Sequence, residues 1–187
     1  LHVTPWTSDG FVRRIVEKTN RLRADLIVIT GDLVDGDVEQ ILPKIECLGK
    51  LQARYGVYFV TGNHEYYVGA QRWIPVLEKL GMRVLTNRGV TVAGALYLGG
   101  LPDRTARRMD GVEAPDIRRV MAGRQEDLPA VLLAHQPRDI DIAADAGVDF
   151  QISGHTHGGQ VWPFGMLVMA AQPYLSGLHR HRQTQIY

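Results

Sequence analysis

Two rhythms of apolar residues run through the chain. Four short runs, Leu26-Ile27-Val28-Ile29-Thr30, Val57-Tyr58-Phe59-Val60-Thr61, Ala130-Val131-Leu132-Leu133-Ala134 and Phe150-Gln151-Ile152-Ser153, are largely apolar and each ends at a glycine or a polar residue. Strands covered on both faces read this way, so each run predicts a buried parallel strand. Between them the rhythm is helical. Phe11, Val12, Ile15, Val16 and Leu22 recur behind a Ser8 or Asp9 cap, and Ile41, Ile45, Leu48 and Leu51 share one face from Val38 to Arg54 before Gly56. A third helical pattern runs through Trp73, Val76, Leu77 and Leu80 to Gly81, and a fourth from Pro137 to Ala146. Helices alternating with parallel-type strands predict an α/β layered fold with right-handed crossovers.

The pattern shifts between Arg83 and Gly100. Short β-rich pieces (Arg83 to Thr86, Val90 to Ala93, Leu96 to Leu98) are broken by Asn87-Arg88-Gly89 and Gly94-Ala95, which reads as a meander or hairpin. From Asp103 to Gln125 the chain is rich in arginine, with a weak helical pattern around Ile117, Val120 and Met121. Arg107-Arg108 and Arg118-Arg119 read there as solvated helix faces. Thr184-Gln185-Ile186-Tyr187 alternates like a strand that has only begun, and the start at Leu1-His2-Val3 is abrupt, so both ends read as cut.

The 187 residues, 45% of them hydrophobic, suffice for one compact domain spanning residues 1–187. A net charge of +1 with acids and bases interspersed gives no basic stripe for a phosphate backbone, so no specific nucleic-acid binding is expected. The single Cys47 excludes an intramolecular disulfide and a thiolate cluster; any ion must be held by nitrogen and oxygen. No apolar run is long enough to span a bilayer.

The polar residues just past each strand carry the candidate chemistry. The first two runs lead into Gly31-Asp32-Leu33-Val34-Asp35 and Gly62-Asn63-His64-Glu65, the third delivers His135, and the fourth leads into Gly154-His155-Thr156-His157-Gly158-Gly159. Ligands of open α/β sheets bind outside the carboxyl ends of the strands, so Asp32, Asn63, His135, His155 and His157 are expected at one rim. A carboxylate there can bridge two divalent ions about 3.5 to 4 Å apart, hold a hydroxide between them and clamp an in-line displacement at phosphorus. Asp32 is the candidate bridge. Asn63 offers an amide oxygen and His135 and His155 offer imidazole nitrogens, a set suited to Mn, Fe or Zn, with Mn favoured. Asp35 is placed to orient a ligand without binding metal itself. In a regular strand His155 and His157 would point oppositely, and Gly154, Gly158 and Gly159 are expected to supply the freedom to bring both inward. His64 is left free to give a proton to a departing alkoxide, a role worth roughly 10² to 10⁴ in rate. Glu65 either holds its ring or starts the next loop.

Taken singly, each motif reads as an ordinary turn, since Gly, Asp and Asn are the usual turn residues. His135 alone reads as a satisfied, partly buried histidine, His179-Arg180-His181-Arg182 as a solvated face, and Trp162-Pro163-Phe164 as packing beneath the loop. Co-occurrence at successive strand ends, with compatible donor chemistry, decides for a site.

Together these blocks resemble the calcineurin-like metallophosphoesterases, whose signature is D-x-H, G-D-x-x-D, G-N-H-[DE], a lone His, and G-H-x-H. Four blocks are intact, and Leu1-His2 fits the last two positions of the first. The string Ser153-Gly154-His155-Thr156-His157-Gly158-Gly159-Gln160-Val161-Trp162-Pro163 is similar to a bacterial branch of membrane-associated or exported phosphodiesterases. The resemblance implies a four-layer αββα sandwich, two facing mixed sheets flanked by helices. It also implies two divalent ions, one among His2, Asp32 and His157 and the other among Asp32, Asn63, His135 and His155, with His64 as general acid. The implied activity is phosphoester hydrolysis, most of all of phosphodiesters. The alternatives are hydrolysis of a lipid-linked pyrophosphate of the UDP-diacylglucosamine type, for which an apolar cleft built from Pro102 to Met121 is expected, and a non-catalytic metal-binding module. The substrate is accordingly expected to be a small-molecule or lipid-linked phosphoester, and membrane association is expected only through segments outside this sequence.

Overall fold

The computed structural model describes residues 1–159 and 172–187. In chain order it contains α1 (Asp9–Arg21), β1 (Ile27–Ile29), α2 (Val38–Ile45), β2 (Val57–Phe59), α3 (Asn63–Tyr67), α4 (Ala70–Lys79), β3 (Met82–Val84), β4 (Arg88–Val92) and β5 (Leu96–Leu101). It continues with α5 (Ile117–Met121), β6 (Ala130–Ala134), α6 (Ile140–Asp145), β7 (Phe150–Ile152), β8 (His179–His181) and β9 (Thr184–Ile186). Among the described residues the strands form two sheets: a parallel one in the order β1-β2-β3, and a mixed one in the order β4-β5-β6-β7-β9-β8.

Side-chain alternation sorts the layers. Along β2, Val57 and Phe59 join a core made with α1, α2 and α4, including Val12, Val16, Ile41, Ile45, Trp73 and Leu77. The intervening Tyr58 and following Val60 face the other way, against Leu98 and Leu133 of the second sheet. Along β6 the split repeats: Leu133 enters the core between the sheets, while Leu132 and Ala134 pack outward with Val120 of α5 and Ala143 of α6. A strand buried on both faces needs apolar residues at both parities, which is why these runs are apolar almost without interruption. Helices, sheet, sheet, helices is the resulting order, the four layers expected from the sequence. Burying a side chain such as Phe59, fully inaccessible, contributes roughly 1.5 to 3 kcal/mol.

Two local expectations are corrected. The helix expected from Val38 to Arg54 ends at Ile45 and passes into a 3-10 helix, Glu46–Lys50. Pro43 lies inside it and has no N–H to give to the preceding turn, so the helix is weakened there. The β-rich stretch after Arg83 is divided between sheets: β3 pairs with β2, and only β4 and β5 form the hairpin. Gly100 marks where the layers touch, since a Cβ there would lie 2.1 Å from that of Leu85. His179-Arg180-His181 forms the strand β8 and, as expected, faces solvent at His179 and Arg180, while half-buried His181 contacts Asp141 of α6 at 2.9 Å. Trp162-Pro163-Phe164 lies outside the described residues.

Candidate metal centre

The parallel strands β1 and β2 of one sheet, and β6 and β7 of the other, carry the predicted residues just beyond their carboxyl ends. His2 arrives differently. Residues 2–3 run beside the loop after β1, with His2 N–H donating to the Asp32 carbonyl and Val3 N–H to the Leu33 carbonyl, both at 2.9 Å. A parallel bridge of Val3 with Val34 completes this edge.

The loops carrying Asp32 and Asn63 are pressed together. Gly31 has φ +87°, and a Cβ on it would sit 2.3 Å from Gly62 N; a Cβ on Gly62 would sit 2.2 Å from Asp32 Oδ1. A side chain on Gly31 would displace the backbone at Gly62, and one on Gly62 would displace the Asp32 carboxylate. Glu65 locks the same junction. It is 1% exposed; Oε2 accepts from the N–H groups of Asp32 (2.9 Å) and Gly62 (2.7 Å), and Oε1 from those of Leu33 (2.7 Å) and Val34 (3.2 Å). Burial raises the pKa of Glu65, and these N–H donors oppose the rise. Glu65 therefore does not hold the His64 ring, contrary to one sequence-based option. The signal is its position at the start of α3, where an acid reaches back to the capping residue's N–H.

Two sets of donors meet at Asp32. His135 Nε2 is 3.1 Å from Asp32 Oδ2, 3.1 Å from Asn63 Oδ1 and 3.1 Å from His155 Nδ1. His2 Nε2 is 3.3 Å from the same Asp32 oxygen and 3.0 Å from His157 Nε2. The other Asp32 oxygen accepts the N–H of His64 at 2.9 Å. His135 Nδ1 lies 2.6 Å from the Thr30 carbonyl, an acceptor only, so Nδ1 carries the proton and neutral His135 presents a lone pair at Nε2. Asn63 Oδ1 and Asp32 Oδ2 are acceptors as well. One proton on Nε2 could satisfy a single neighbour among three; a cation would satisfy all of them. The donor set, imidazole nitrogens with carboxylate and amide oxygens, fits a divalent first-row ion.

Electrostatics agree with the geometry at Asp32, His155 and His2, and at His135 they favour the protonated ring beside Asp32. Burial opposes charge on Asp32, which is 4% exposed, yet hydrogen bonding and charge from His135 hold its pKa well below the usual carboxylate range. Burial lowers His155 and His2, favouring the neutral rings that can ligate. In His135 burial also lowers the pKa, but the Asp32 pair outweighs it and the net shift is upward.

His155 (φ +68°) and His157 (φ +49°) both adopt left-handed backbone, as do Asp32 (φ +50°) and His2 (φ +48°). The expectation for this loop is corrected in its detail: the histidines themselves turn the chain, sending His155 to His135 and His157 to His2, while Gly158 and Gly159 are left-handed and Gly154 is not. His and Asp tolerate this region better than most residues, and each such position still costs of order 1 to 3 kcal/mol.

His64 belongs to neither donor set. Its ring packs edge-on to His2 with centroids 4.4 Å apart, and its Nδ1 lies 3.2 Å from Asp35 Oδ1. That contact is close but lacks hydrogen-bond alignment, since Nδ1 has no bonded partner among the described residues. Asp35 thus stands next to His64; together with His2 these two could also group around a cation.

The calcineurin-like phosphoesterase family matches residues 2–159. A metallophosphoesterase of Helicobacter pylori strain 26695, with no assigned function, is 40% identical over the whole chain, which covers 50% of it. A transmembrane protein with metallophosphoesterase domain from Danio rerio is 34% identical over the whole chain, which covers 45% of it. The chain thus spans about half the length of these relatives. Among solved structures, the sulfate thiohydrolase SoxB of Thermus thermophilus matches with a TM-score of 0.57 at 20% identity, over 95% of this chain and 36% of that one. The phosphopantetheinyl hydrolase PptH of Mycobacterium tuberculosis matches with a TM-score of 0.51 at 13% identity, over 88% and 78%. At such identities the two structures speak for the fold, and the sequence match speaks for descent: the chain belongs to the calcineurin-like phosphoesterases.

Proposed function

We propose that this chain is the catalytic domain of a two-metal phosphoesterase acting on phosphodiesters, with His64 as the proton donor to the leaving oxygen. The observation that carries the reading is the shared Asp32 oxygen, on which two donor sets meet beside a histidine that belongs to neither. His2, Asp32 and His157 would hold one ion, and Asp32, Asn63, His135 and His155 the other; manganese is favoured over iron or zinc. Divalent ions bound there supply Lewis acidity toward phosphoryl oxygens and make water a nucleophile at neutral pH.

The chain's own residues account for orientation and proton transfer. Asp32 is fixed from both sides, one oxygen by the His64 N–H and its backbone N–H by Glu65. Asn63 contributes an oxygen without adding charge. The Thr30 carbonyl sets the tautomer of His135, so that Nε2 faces the site in one orientation. Asp35 flanks His64 on its Nδ1 side, leaving Nε2 to protonate the departing alkoxide.

The test is turnover of bis-p-nitrophenyl phosphate by the full-length protein with and without manganese. Manganese-dependent hydrolysis is expected, and His64→Ala should lower kcat by roughly 10² to 10⁴, most severely for esters with poorer leaving groups. Absence of turnover in the metal-loaded protein would leave a non-catalytic metal-binding module. We further infer that the whole protein works at a membrane, a reading supported by the name of the Danio rerio relative. No helix among the described residues is long and apolar enough to cross one.

A further inference from the structure

Beside the candidate centre lies a cleft of about 440 Å³ whose lining includes Asn63 and His155 together with Arg104, Arg107, Arg108 and Arg138. Among the described residues no carboxylate lines it. Arg104 is already neutralised, its Nε 2.5 Å from Asp139 Oδ1. Arg107, Arg108 and Arg138 are exposed and form no ion pair with a described carboxylate. The element that carries Arg107 and Arg108 is nonetheless held in place. The 3-10 helix Arg104–Arg108 begins at buried Asp103, which accepts from Thr105 N–H at 2.8 Å and from the Gln136 side chain at 2.7 Å. Its buried Ala106 packs against Tyr66 and Ala70, fastening it to α3, the helix that carries Asn63 and His64.

We propose that this cleft receives a second phosphate-type anion of the substrate. The preferred class is then a phosphoester with another phosphate-type group near the scissile one, as in a diphosphate or bisphosphate. This rests on the phosphoesterase reading above. Arg107 and Arg108, adjacent on one pinned element and without an ion-pair partner among the described carboxylates, leave like charge beside Arg138 at the cleft that an anion would offset, and the planar forks match phosphate oxygens in pairs. Because Asn63 and His155 belong to the lining of this cleft and to the donor set at once, a group bound there is contiguous with one bound at the metals. The segment from Pro102 to Met121, expected to build an apolar cleft for a lipid, therefore presents arginines to the site.

The full-length, manganese-loaded protein can be titrated calorimetrically with methylphosphonate and with methylenebisphosphonate, which differ by one phosphonate. The bisphosphonate is expected to bind at least about tenfold more tightly, the worth of a charge-assisted contact. The double variant Arg107→Ala/Arg138→Ala should lose most of that ratio. Chelation by the ions acts equally in both proteins, so a ratio that survives the double substitution overturns the inference, as does a wild-type ratio near one. Arg119→Ala, whose exposed guanidinium pairs with Glu113 at 2.9 Å, is the control and should keep the wild-type ratio. Bis-p-nitrophenyl phosphate turnover of the same samples separates the two readings: its absence would refute the phosphoesterase assignment, whereas the phosphonate ratio judges the cleft alone.

Discussion

Replacing Glu65 should damage the centre without touching a single donor atom. Its carboxylate is the only described side-chain acceptor bonded to the N–H groups of Asp32, Leu33, Val34 and Gly62. A buried N–H left without a partner costs about 1 to 3 kcal/mol. Four such groups give an upper range of about 4 to 12 kcal/mol. Relief of the buried charge and entry of water into the vacated space bring Glu65→Ala toward the low end, about 4 kcal/mol. Glu65→Gln keeps the shape and one acceptor oxygen but turns an amide N–H₂ toward two of the donors, and should cost about 2 to 4 kcal/mol. In a domain of this size 1 kcal/mol moves Tm by about 2 to 4 °C, so the glutamine variant should melt about 4 to 16 °C lower. The assay is thermal and guanidinium unfolding followed by tryptophan fluorescence, with manganese binding measured on whatever remains folded. If Glu65→Gln lost less than about 1 kcal/mol, the junction would be held by something other than this carboxylate and the reasoning would fail.

Removing the ions with a chelator should lower Tm, because only the folded chain gathers these donors; a site at a hundredfold excess over Kd adds about 2.7 kcal/mol, and calorimetry that shows no shift on adding manganese would count against the donor sets. Gly100→Ala should destabilise by about 1 to 3 kcal/mol, since its Cβ would meet Leu85 at 2.1 Å, and an unchanged unfolding midpoint would mean the sheets can part there freely. Burial pushes the Tyr66 phenol up to about 12, with Thr61 hydrogen-bonded to it at 2.9 Å. A raised folded-state pKa gives stability that is complete below the unfolded value near 10 and is lost between about 10 and 12, some 2 to 3 kcal/mol. Tyr66→Phe should flatten that alkaline loss, which unfolding measured across the range will show.

Much of the architecture is legible in the sequence because burial on two faces and a site at strand ends both leave strong marks. The run Ala130 to Ala134 is the strand β6 residue for residue, and His135 comes directly after it. Asp32, Asn63, His155 and His157 are likewise located by the strands that precede them. The illegible part depends on distant partners. Glu65 stands out in its motif, yet its role requires knowing that the loop after β1 offers it three N–H groups. The piece before β4 reads locally as part of a hairpin, and only pairing with β2 assigns β3 to the other sheet. Arg107 and Arg108 read as solvated, and they are exposed; that they are exposed into a cleft shared with Asn63 is a tertiary fact with no local signature.

The left-handed backbone at His2, Asp32, His155 and His157 bears on any attempt to move or rebuild this centre. A donor set copied onto another scaffold by side-chain identity alone would place these residues on ordinary extended or helical backbone, where their side chains leave in different directions. The transferable unit is therefore the strand-loop backbone with its glycines and Glu65, and the donors can be exchanged only for residues that tolerate the same torsions. Asparagine satisfies that condition at Asp32, at the cost of a charge, whereas a β-branched residue at any of the four would oppose the loop before it could be asked about metal.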